Sequence, residues 1–140
     1  MTRVDFYVLQ DTSSQAVPQL ACRIAEKAWK KGHRVYLHTG SDAQLRQMDD
    51  LLWTFRAGSF LPHAPYAEHD NSEPVLLGHD IDPASEHDVL INLTSEVPAF
   101  FTRFNRVVEP VAGDDASQSA ARERYRFYMD RGYTLETHKL

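Results

Sequence analysis

The first 55 residues hold two strand-then-helix units in succession, and this alternation limits the fold more than any other feature. Residues 3–9, RVDFYVL, alternate at first and then run rich in β-formers. Directly after them Val17, Leu20, Ala21, Ile24, Ala25, Ala28 and Trp29 recur at three and four, the period of a helical stripe. The second unit repeats the pattern. Residues 33–39, HRVYLHT, read as a strand, and Leu45, Met48, Leu51, Leu52 and Phe55 share one face of a second helix. Such alternation predicts a single three-layer α/β domain over residues 1–140, its mostly parallel central sheet flanked by helices.

The element ends carry their own signals. Ser13 or Ser14 is expected to cap the first helix, with Pro18 inside its first turn, where a missing N–H matters least. Lys30, Lys31 and Gly32 mark its end. Cys22 falls just off the stripe and is expected to be half-buried packing. Ser41 is expected to cap the second helix. The segment 56–74, with three prolines and little periodicity, is long for a loop, so it is either functional or conceals an element. A short strand at 75–77 and a buried central strand at 88–93, DVLINL, follow. Residues 96–104 predict a short helix with its phenylalanines turned inward. Residues 106–111, RVVEPV, predict a strand in which Pro110 marks the end or an edge. Asp114 or Asp115 is expected to cap a last helix, about 116–131, stopped by Gly132 and followed by an extended tail.

Charge narrows the function classes. The chain carries −5 at neutral pH, which argues against a general nucleic-acid binder. No Lys or Arg lies between Arg56 and Arg103, where eight acids stand, so the cations are gathered toward the two ends of the chain. No run of about 20 apolar residues offers a membrane span. The N-terminus passes straight into a strand pattern, so no signal peptide is expected, and the single cysteine leaves no disulfide framework. Cytoplasm is the expected compartment.

Signs of catalysis are scarce. Neither strand-to-helix turn, QDTSSQ or TGSDAQ, matches a glycine-rich phosphate loop. No serine stands in a nucleophile elbow. Seven histidines are present, His33, His38, His63, His69, His79, His87 and His138. Four lie in the acidic middle beside Asp70, Asp80 and Asp88 but lack zinc-site spacing. A small metal-dependent enzyme using that middle is one alternative; otherwise no metal and no cofactor is expected.

Two aromatic stretches remain. In LLWTFRAGSFLPH, residues 51–63, Trp53 and Phe60 are candidates for an exposed anchor or for core packing, and Phe55 is read as core. In ARERYRFY, residues 121–128, three arginines interleave with two tyrosines. At about 100° per residue, Ser117, Ala121, Tyr125 and Tyr128 cluster on one face. Arg122 and Arg126 share its border beside Tyr125, while Arg124 falls on the opposite border. A paired guanidinium edge suits a carboxylate, which arginine holds in two places. The plainer reading is an amphipathic helix whose arginines pair with Glu123 or Asp130, and a third is direct binding of single-stranded nucleic acid by Arg–Tyr stacking.

Taken in order, FYVL, QLACRIAEKAWKKGHRVYL, LLWTFRAGSFLPH, PVLL, DVLINL, RVVEPV and AARERYRFYMDRGYTLETHKL resemble the chi subunit family of bacterial DNA polymerase III over essentially the whole chain. The resemblance implies an α/β fold similar to nucleotide-binding domains but without the phosphate loop, and a non-catalytic clamp-loader accessory role. It implies two partners, the psi subunit and the C-terminal tail of single-stranded DNA-binding protein, with DNA reached only indirectly. That tail is acidic and ends in Pro-Phe with a free carboxylate. Carried onto this chain, Arg122 would hold the carboxylate, Tyr125 and Arg126 would flank the pocket, Val111 would form a wall, and Tyr128 is a further candidate. Trp53, Phe60, Pro62 and His63 match the psi-facing surface. The small residues Ala112-Gly113 and Ala120-Ala121 depart from the family and imply a shallower pocket.

Overall fold

A computed structural model describes residues 2–58, 60–68, 73–83 and 88–140. Strands β1 (Arg3–Val8), β2 (Val35–Thr39), β3 (His63–Pro65), β4 (Val75–His79), β5 (Val89–Asn92), β6 (Arg106–Val111) and β7 (Thr134–Lys139) form one sheet in the order β3-β4-β2-β5-β6-β1-β7. Every pairing between them is parallel. Helices α1 (Ala16–Lys30), α2 (Asp42–Thr54) and α3 (Asp115–Asp130) supply the crossovers, with short 3₁₀ turns at Tyr66–Glu68 and Phe101–Arg103. The three-layer α/β arrangement expected from the alternation is therefore the one observed.

Strand alternation divides the core in two. Val35, Leu37, Val75, Leu77, Val89, Ile91 and Val108 point to one side, where α1 and α2 cover them with Ala21, Ala25, Met48 and Leu52. Val4, Phe6, Tyr36, Leu76, Leu90, Val107 and Val111 point to the other, covered by Ala121 and Tyr128 of α3 and by Phe101 and Phe104. The central strands are apolar on both faces, as a doubly covered parallel sheet requires.

Several local expectations change. Ser41 and Asp114 cap α2 and α3, each side chain accepting the N–H three residues on at 3.0 Å. The cap of α1, however, is Gln15, which makes no side-chain cap bond; Ser13 Oγ instead accepts the Gln15 N–H at 3.1 Å in a turn before the helix. Cys22 is fully buried rather than half-buried, and burial pushes its thiol up to about 12, so it packs and does not react. The 56–74 connection conceals β3, an edge strand of three residues. β6 lies inside the sheet between β5 and β1, so Pro110 marks no edge; it lies beyond Ile91↔Val108, where pairing with β5 stops, and its missing N–H costs no ladder bond there. The expected helix at 96–104 contracts to a 3₁₀ turn whose Phe101 and Phe104 are buried.

Candidate functional site

The orientation of α3 follows from one buried acid. Glu109 of β6 is wholly enclosed on the face that α3 covers. Arg124 Nε donates to Glu109 Oε1 at 2.9 Å, and Asn92 Nδ2 and the Tyr128 hydroxyl donate to Oε2 at 3.0 and 2.7 Å. Arg124 also donates to the Ser95 carbonyl at 3.2 Å. Burial pushes the Glu109 carboxyl up, and the Arg124 charge and the donated hydrogen bonds oppose it. All three side chains bring donors, so the carboxylate is the form this enclosure fits. Burial likewise pushes the Tyr128 hydroxyl up, which keeps its proton available to Glu109.

Arg124 consequently occupies the inward face with Ala121 and Tyr128, and Tyr125 is only half-buried. The sequence spacing had grouped Tyr125, rather than Arg124, with Ala121 and Tyr128 on one face. Turned this way, the Tyr125 ring leans against Phe6 with centroids 5.4 Å apart and forms one wall of an open depression. The depression has a volume of about 430 Å³ and lies beside the carboxyl ends of β1 and β7. Phe6, Val8, Val111 and Ala121 give it an apolar floor; Arg122, Gln118 and Lys139 stand at its rim. Among the described residues Arg122 has no ion pair and is exposed.

The predicted site residues therefore divide. Val111, Arg122 and Tyr125 line one depression. Arg126 does not line it; its guanidinium turns to Glu123 at 3.2 Å on the exposed side of the helix. Tyr128 is fully enclosed and bonded to Glu109, so its position is in the core. Sequence reading passed over Phe6, Val8, Lys139 and Leu140, which also line the depression. The chain's first and last strands meet there, with Val8 paired to Lys139 and the Leu140 N–H bonded to the Val8 carbonyl at 2.9 Å. The extended tail expected after Gly132 is thus a strand, β7, paired with β1.

A second candidate surface lies at the opposite sheet edge. Trp53 is 54% and Phe60 74% exposed, on either side of the turn that leads out of α2. His63 is buried, its Nδ1 2.7 Å from the Leu61 carbonyl oxygen and its Nε2 3.0 Å from that of Asp49. It supports the Trp53 ring at a centroid distance of 4.5 Å. Pro62 is half-buried, and Phe55 packs against the core. The outward apolar surface here thus belongs to Trp53 and Phe60.

The histidine-rich middle falls partly outside the described residues, which exclude His69, Asp70 and His87. Among the described residues the one group with metal-ligand proximity is Asp5, Glu136 and His138 on β1 and β7. Arg106 and Arg3 already approach that Asp5 carboxylate at 2.6 and 3.1 Å, and two guanidiniums there oppose a cation. No helix among the described residues is long and apolar enough to cross a membrane.

Comparisons with known proteins converge on one family. Residues 1–136 match the family model described as DNA polymerase III chi subunit, HolC. The chain is 48% identical over 140 residues to the DNA polymerase III subunit chi of Pseudomonas aeruginosa, covering all of this chain and 98% of the relative. It is 34% identical over 143 residues to that of Escherichia coli, covering 98% and 97%. With that of Haemophilus influenzae it is 32% identical over 136 residues, covering 94% and 93%. The chain belongs to the DNA polymerase III chi subunit family.

Proposed function

We propose that this chain is a non-catalytic accessory subunit of the DNA polymerase III assembly. It ties the clamp loader, through psi, to the C-terminal tail of single-stranded DNA-binding protein, in the cytoplasm at the replisome. The observation that carries the reading is the depression beside α3: an apolar floor of Phe6, Val8 and Val111 with the exposed guanidinium of Arg122, unpaired among the described residues, at its rim. A peptide ending in an apolar side chain and a free carboxylate matches both halves. Burying a phenylalanine contributes about 1.5–3 kcal/mol, and a hydrogen bond between charged groups about 1.5–3 kcal/mol more. Ordering a flexible tail offsets part of this, so affinity falls on the order of micromolar.

The depression argues against the direct nucleic-acid reading. The Tyr125 ring is half-buried and set against Phe6, so it does not offer the free stacking platform that a base needs.

Arg122→Ala is expected to weaken binding of a tail peptide by about tenfold or more, with the melting temperature almost unmoved because the side chain is exposed. Undiminished binding in a calorimetric titration would remove Arg122 from the site. The wild type should also bind an oligonucleotide coated with single-stranded DNA-binding protein and ignore the bare strand. Equal binding to both would favour the nucleic-acid alternative.

For psi, Phe60 is the sharper probe because most of its surface is open. Phe60→Ala should lower psi association by about tenfold or more, the loss typical of a truncated aromatic anchor, and leave the denaturant midpoint in place. Trp53→Ala should do the same with some loss of stability, since its ring rests on His63. A midpoint shift with undiminished psi capture would return both aromatics to a packing role.

A further inference from the structure

A cleft that shares no lining residue with either surface collects cations on this acidic chain. It has a volume of about 420 Å³ and opens at the amino ends of β1, β5 and β6, under the last turns of α1. Arg3, Lys27, Lys31 and Arg106 line it, against a single acid, Asp88. The net charge of the whole chain is −5, so this balance is local. Cations are ordinary at a helix C-terminus, where they offset the dipole. Here they divide by direction. Lys30 turns to Glu26 at 4.0 Å, whereas Lys27 and Lys31, one turn apart, border the cleft and have no ion pair among the described residues.

The opposite wall is built. Asp5 is wholly buried, and its Oδ2 takes Arg106 Nε at 2.6 Å and Arg3 at 3.1 Å. Arg106 also donates to the Tyr7 hydroxyl at 2.6 Å, and Tyr7 itself lines the cleft. Burial raises the Asp5 pKa, but the hydrogen bonds from Arg106 and His138 and the guanidinium charges outweigh it and hold the carboxyl below its ordinary value. Asp5 therefore works as a fixed anion that sets two guanidiniums in place, each keeping N–H groups to spare. Asp88 is itself engaged, accepting the Arg34 backbone N–H at 2.6 Å.

We propose that this cleft is a binding site for a phosphate group, held by Arg3 and Arg106 from the sheet and Lys27 and Lys31 from the helix. The choice of phosphate over an acidic peptide rests on shape. An acidic peptide spreads single charges along an extended chain. Four cations around one small volume suit a compact group of charge near −2 with three acceptor oxygens. Free phosphate and a nucleotide share that chemistry.

The test is calorimetric titration of the full chain at low salt with pyrophosphate, with ADP, and with an aspartate-rich peptide. Wild-type protein should bind pyrophosphate, ADP or both. Saturation by both marks a site that reads phosphate alone; saturation by ADP alone marks a nucleotide site. The double variant Lys27→Ala/Lys31→Ala, changed only at exposed side chains, should lose about tenfold or more in affinity while staying folded, with only the small drop in melting temperature that losing two cations at a helix C-terminus brings. It should still bind the tail peptide, which separates this cleft from the α3 depression. The proposal is overturned if neither phosphate probe binds, if the double variant binds as well as wild type, or if the aspartate-rich peptide binds as tightly as the phosphates.

Discussion

Arg124→Ala is expected to destabilise the domain by about 3–5 kcal/mol, because it leaves a buried carboxylate without its cation. Glu109 is fully buried, and Arg124 is its one charged partner among the described residues. Asn92 and Tyr128 can still donate, but two neutral donors do not replace a guanidinium. The urea midpoint should fall with the slope unchanged. Glu109→Leu/Arg124→Leu should recover part of the loss, since it removes both charges yet leaves the Asn92 amide and Tyr128 hydroxyl without an acceptor. A shift in the single variant of no more than about 1 kcal/mol, the value of a surface pair, would contradict the enclosure of this pair. The contrast with Arg122→Ala, two positions earlier on the same helix, is a direct test of the helix's orientation: one arginine should govern stability and the other binding.

Gly78→Ala should cost about 3 kcal/mol or more, the upper range for overpacking a core. Gly78 lies inside β4, and a Cβ there would overlap the Tyr36 hydroxyl and come within 2.6 Å of its ring carbon Cζ. Tyr36 is fully buried, and its hydroxyl donates to the Ile81 carbonyl at 2.9 Å, so it has nowhere to retreat. Adding Tyr36→Phe should restore part of the stability, because it deletes the nearest atom. The two substitutions should therefore be strongly non-additive in a double-mutant cycle. Simple additivity would show that the ring is not what fills the space over Gly78.

Helices and central strands were legible in the sequence because each depends on its own period, and the strand–helix alternation carried the fold class with them. Features set by distant partners were not. Arg124 sits on the border of an apolar stripe, where Glu123 and Asp130 are the acids within its reach in sequence, until Glu109, fifteen positions earlier, is known to face it. β3 is three residues long and ends in proline, too short for alternation to register. Gly78 reads as another scattered glycine, since its reason lies in the neighbouring strand. The depression was half legible. Arg122, Tyr125 and Val111 lie within fifteen residues of one another, whereas Phe6 and Lys139 become neighbours only when β1 and β7 pair. Arg126 follows Tyr125 in sequence but leaves its company in space, drawn to Glu123 one turn back.

The strand order carries a mechanical consequence. Trp53 and Phe60 stand by the β3 edge, and the Arg122 depression by the β1–β7 edge, so most of the seven-strand width separates them. Six strand spacings come to about 29 Å. Any pull between those two places runs along the hydrogen-bonding direction, and the strand ladders carry it in series, each bearing the whole load. The β3–β4 and β5–β6 ladders register three residue pairs each, and β3–β4 stands at the sheet edge, so it is the first link to part unless the α2 packing behind it shares the strain. A sheet loaded this way yields first at its edge, while its short inner ladder lies between strands that are each paired on both sides.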